Sequence, residues 1–106
     1  MKELKQSDYP NLLKNKLCAI LFTNPIPCSR CDEVKALIPQ VEQKLPNTPI
    51  VYFAAAADVY PVNELSKGLN FSTVPTLVIF KDGKPASVIK SVQTPKTYIQ
   101  ALQGLM

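Results

Sequence analysis

Leu17-Cys18-Ala19-Ile20-Leu21-Phe22 is a nearly unbroken apolar run. It is far shorter than the roughly 20 residues that span a bilayer. It is also too uniformly apolar for a strand with one wet face. It predicts a short strand buried on both sides, as the centre of a parallel or mixed sheet requires. Asn24-Pro25-Ile26-Pro27 stops it. From Cys28 the period changes. Val34, Leu37, Ile38, Val41 and Leu45 fall at helical spacing, with Asp32 and Glu33 in the favourable first turn. Pro39 lies inside that pattern and is expected to kink it. A strand, a helix and a second apolar run, Ile50 to Ala57, then make a βαβ unit with parallel strands.

The chain holds ten prolines and three glycines, and the prolines act as punctuation. Before the first strand, Ser7 or Asp8 could cap a short helix with Pro10 near its first turn. Pro46 and Pro49 mark the exit from the long helix. After the second apolar run, Asp58 is a candidate cap for a helix facing inward through Val62, Leu65 and Leu69, with Gly68 near its end. Thr76-Leu77-Val78-Ile79-Phe80 is a third strand. Asp82-Gly83 is a strong hairpin signal, so residues 86–92 return as the antiparallel partner. Thr94 and Pro95 cap a final helix facing inward through Tyr98, Leu102 and Leu105. The order β-α-β-α-β-β-α describes one α/β domain over residues 1–106, a mixed sheet of about four strands with helices on both faces.

Composition removes several chemistries. Histidine is absent, so no Ser-His-Asp or Cys-His catalysis is available. Three cysteines cannot supply the four ligands of a tetrahedral zinc site from one chain. The net charge of +4 is mild and spread along the chain, which argues against nucleic acid. The polar start, Met1 to Gln6, lacks a hydrophobic signal core, and no run is long enough for a membrane span. The expected address is the cytoplasm.

What remains is Cys28-Ser29-Arg30-Cys31 at a strand-to-helix junction. Two cysteines at this spacing can close a small disulfide with little backbone movement. Free N–H groups at the helix start, the helix dipole and Arg30 favour a Cys28 thiolate, while Asp32 and Glu33 oppose it. Cys31, one turn in, is shielded and suited to resolve what Cys28 attacks. Half a metal site, a structural disulfide and coincidence are the other meanings of such a pair, and the βαβ setting favours redox chemistry. Cys18, inside the apolar strand, reads as a small buried hydrophobe.

With Ser72-Thr73-Val74-Pro75-Thr76 ahead of an apolar strand and Lys81-Asp82-Gly83-Lys84, the chain from Leu17 to Met106 resembles the thioredoxin-like family. The resemblance implies a three-layer α/β/α sandwich and a thiol–disulfide oxidoreductase acting on protein disulfides. It implies that Pro75 is cis and sits against the cysteines, that Val74 pairs with substrate backbone as a short added strand, and that Thr73 and Pro75 border the same groove. Pro27, Ser29 and Arg30 would modulate the pair. The Cys28–Cys31 disulfide would be the only redox group, with no metal and no other cofactor. Partners would be a protein disulfide and a separate protein reductant or oxidant, or glutathione, meeting a monomer.

The departures from the family are specific. Pro27 stands where thioredoxins carry tryptophan, and the chain has no tryptophan. Phe22 stands where they carry a buried acid. Ser91 stands where a glycine is expected beside the groove. The family's first strand is expected to be missing or reduced. These changes suggest a specialised oxidoreductase with a less negative potential than thioredoxin. The competing readings are a non-enzymatic redox switch or adaptor, and a metal or iron–sulfur site shared across a dimer.

Overall fold

The computed structural model describes residues 2–4, 8–23, 29–54 and 75–106. A five-stranded mixed sheet runs through them in the order β1-β3-β2-β4-β5. The strands are β1 (Lys2–Glu3), β2 (Leu17–Thr23), β3 (Ile50–Ala54), β4 (Thr76–Lys81) and β5 (Lys84–Lys90). The helices are α1 (Tyr9–Leu12), α2 (Ser29–Lys44) and α3 (Pro95–Gln103).

The apolar run at Leu17 is the middle of the sheet. β2 pairs parallel with β3 and antiparallel with β4, and every residue from Cys18 to Thr23 is buried. Side chains alternate between the faces, as the pleat demands. Ala19 and Leu21 join Leu77 and Ile79 under Val34, Ile38 and Val41 of α2 and Tyr98 and Leu102 of α3. Cys18, Ile20 and Phe22 join Val78 and Phe80 on the opposite face, where Leu12 of α1 packs. The three layers expected from the sequence are therefore present.

Three details differ from the sequence reading. The sheet has a fifth strand, because Lys2 and Glu3 pair parallel with Val51 and Tyr52 of β3. Two residues carry no strand period, which is why the expected count was four. Tyr52 ties this short strand down: its hydroxyl donates to Glu3 Oε2 at 3.3 Å, and the Lys35 ammonium of α2 lies 4.3 Å from the ring centre. The last strand begins at Lys84 and ends at Lys90, earlier than the expected 86–92. The turn is tighter because Asp82 and Gly83 both take positive φ, +53° and +80°, the pattern of a two-residue hairpin. Within α2, Leu37 is half-buried while Pro39 faces solvent. There the missing proline N–H costs a helix hydrogen bond without exposing a core group.

The second apolar run is β3 as far as Ala54. The alanines beyond it and the helix expected from Asp58 lie outside the described residues. Among the described residues, no helix is long and apolar enough to cross a membrane.

Candidate active site

Of the residues the sequence singled out, Ser29, Arg30 and Cys31 at the start of α2 and Pro75 ahead of β4 are among those described. Five residues separate Thr23, the last of β2, from Ser29, the first of α2. The start of α2 is therefore held near this end of the sheet. Phe22 pairs with Thr76 at the start of β4, and Thr76 pairs in turn with Lys90 at the end of β5. Pro75, directly before Thr76, thus lies at the same end of the sheet.

Cys31 is the third residue of α2, 2 % exposed and disulfide-bonded. Its helix start leaves backbone N–H groups without intrahelical acceptors. Ser29 and Arg30 flank it in the first turn and are exposed, as are Asp32 and Glu33. Cys28, Pro27, Thr73 and Val74 lie outside the described residues. Cys18 is a free buried thiol. It precedes Thr23 by five residues along β2, so it lies about 17 Å from the site's end of the strand at the usual rise. Burial pushes this thiol up from 9.0 to about 11. It is inert packing, as its apolar setting suggested.

The floor of this end is apolar or neutral. Phe22 is 1 % exposed among Leu4, Ile20, Phe53 and Val78. Thr23 is buried, its hydroxyl donating to the Phe53 carbonyl at 3.4 Å. Among the described residues the buried polar side chains are Thr23 and Thr76, and no carboxylate is buried.

The Pro75 side is held by an arrangement that the sequence reading only half anticipated. Ser91 has a φ of +64°, the left-handed region where glycine is at ease and serine is strained. Its N–H donates to the Pro75 carbonyl at 3.0 Å. Its own carbonyl accepts from the Tyr98 hydroxyl at 3.2 Å, and that hydroxyl accepts from the Gln93 N–H at 3.1 Å. Burial raises the pKa of Tyr98, opposed by the Gln93 hydrogen bond. The sequence placed Tyr98 in the core by periodicity alone. Its hydroxyl was the missed signal, since a buried tyrosine normally brings a hydrogen-bond partner.

Fold and junction together define a protein of the thioredoxin fold. The thioredoxin family model matches residues 1–103, and the chain belongs to that family. Among solved structures, mitochondrial thioredoxin 3 from Saccharomyces cerevisiae is similar with a TM-score of 0.77 at 21% identity, over 98% of this chain and 94% of that one. A mutant thioredoxin from Halobacterium salinarum gives 0.78 at 15% identity, over 99% of this chain and 88% of that one. A structure described as the thiol resolving mechanism of a yeast mitochondrial 1-Cys peroxiredoxin via glutathione/thioredoxin systems gives 0.76 at 19%, over 98% and 94%. These likenesses show the fold. No curated protein matches the chain in sequence. Membership of the family supports thiol–disulfide oxidoreductase activity at a general level.

Proposed function

We propose that the chain is a specialised thiol–disulfide oxidoreductase for protein disulfides, working through Cys28 and Cys31. The observation that carries this reading is Cys31: shielded at the third position of α2 and disulfide-bonded, while Cys18 is free at the far end of β2. The Cys28 thiolate attacks one sulfur of a substrate disulfide. A Cys28–substrate disulfide forms, and the other substrate sulfur leaves as a thiolate that takes a proton. Cys31, deprotonated, then attacks Cys28 Sγ. The Cys28–Cys31 disulfide forms and the second substrate thiol is released. Two electrons pass from the dithiol to the substrate. A dithiol protein or two molecules of glutathione return them and reset the pair.

Val74 would align the substrate backbone beside Thr73 and Pro75, and Pro27, Ser29 and Arg30 would tune the thiolate. The dithiol is its own electron carrier in this scheme, so no metal or cofactor enters. A monomer in the cytoplasm, where thiol reductants are maintained, suits it. Cys31→Ser removes the resolving sulfur. It is expected to accumulate mixed disulfides at Cys28 when incubated with a disulfide-bridged peptide, read by mass under non-reducing conditions. Absence of any such adduct, with Cys28 shown to be alkylatable, overturns the scheme.

A further inference from the structure

Ser91 is an exposed residue in the left-handed backbone region, which strains every L-residue other than glycine. It stays there because its neighbours over-determine it. Its N–H is committed to the Pro75 carbonyl and its carbonyl to the Tyr98 hydroxyl. That hydroxyl also receives the Gln93 N–H, so one oxygen closes both sides of the turn after β5. The Tyr98 ring is fully buried among Ile79, Leu77 and Leu102, which anchors the oxygen to the core and not to a mobile side chain. Core, turn and Pro75 are thus linked in series.

We propose that Tyr98 is a positioning residue for the Pro75 side of the site, its hydroxyl acting as a latch made necessary by a serine at position 91. The inference rests on the oxidoreductase reading above, because only there does Pro75 border a bound polypeptide. Glycine takes positive φ without a steric cost and needs no such latch. Serine, once released, relaxes toward an ordinary φ. Its N–H then swings away from the Pro75 carbonyl and releases Pro75, which borders the substrate on the reading above. A substrate without a peptide backbone has no such dependence on Pro75.

The test is a double-mutant cycle with Tyr98→Phe and Ser91→Gly. Phenylalanine keeps the ring that fills the core, so the fold persists. Steady-state kcat/KM is measured for a disulfide-bridged peptide and for a symmetric nitrobenzoate disulfide. Tyr98→Phe alone is expected to lower the peptide-to-small-disulfide ratio by about three- to tenfold, through KM for the peptide, as loss of one ordering hydrogen bond implies. In the Ser91→Gly background the same substitution is expected to change the ratio by less than about twofold, because the coupling is gone. An unchanged ratio in the first case, or equal falls in both backgrounds, overturns the latch, since a merely structural tyrosine lowers the melting temperature without that coupling. Absence of turnover with either substrate in the unsubstituted protein removes the oxidoreductase reading, and the latch with it.

Discussion

Cys18 and Cys31 are both buried, yet one is free and the other bonded. Cys31 is the third residue of α2 and is disulfide-bonded. Cys18 lies in β2 between Ile20, Val78 and Phe80, where nothing compensates a charge. Its folded pKa, pushed up to about 11, therefore exceeds its ordinary value of 9.0. Such a group stabilises the fold fully below pH 9, where both states hold the proton. The stability is lost as pH rises toward 11, because the unfolded chain has by then released a proton that the folded chain retains. Denaturant titrations are expected to show stability falling between pH 9 and 11. Cys18→Ala is expected to lose some stability at pH 7 but to flatten this alkaline slope. An unaltered slope in that variant would show that other groups produce it; Tyr52 and Tyr98, both shifted upward, are the candidates.

At the scale of elements, α3 shows how a local signal becomes a boundary. Thr94 sits at the N-cap with extended backbone, and its hydroxyl oxygen accepts from the Thr97 N–H at 3.3 Å; Pro95 follows at the first turn, where no N–H is needed. Thr94→Ala is expected to destabilise the protein by about 1 kcal/mol in urea unfolding, as loss of an N-cap does elsewhere. Thr94→Ser is expected to recover most of that. This cap, the Asp82-Gly83 turn, the β2 run and the inward face of α2 were all legible, because each is a short-range pattern whose physics is local. The sequence also marked Pro75 and Cys31, which lie 44 residues apart in the chain and which no short-range pattern joins. What it concealed was long-range. β1 exists because β3 offers it an edge, and a two-residue pairing leaves no period. The left-handed backbone at Ser91 is imposed by Pro75 and Tyr98, sixteen residues before it and seven after. No propensity at a serine announces that.

For the whole molecule, the question is where the fold sets the potential of the cysteine pair. The potential reflects the relative stability of dithiol and disulfide, and about 30 mV corresponds to 1.4 kcal/mol for two electrons. The helix start favours the reduced, thiolate-bearing form. Arg30 adds to that, whereas Asp32 and Glu33 oppose it, and all three are exposed and screened by solvent. Phe22 lies in the apolar cluster on the sheet face opposite α2, and among the described residues no carboxylate is buried. On the proposed reading, the potential is expected to be less negative than the about −270 mV of thioredoxin. Equilibration in graded thiol–disulfide buffers, with free thiols counted by alkylation and mass, reads it directly. Phe22→Asp returns a carboxylate to that core at the cost of some stability. It is expected to move the potential toward more negative values and to speed release of the mixed disulfide by helping Cys31 lose its proton. A value at or below about −270 mV in the unsubstituted protein would mean that the altered junction leaves an ordinary reductase, and the specialised part of the proposal would fall while the exchange chemistry stood.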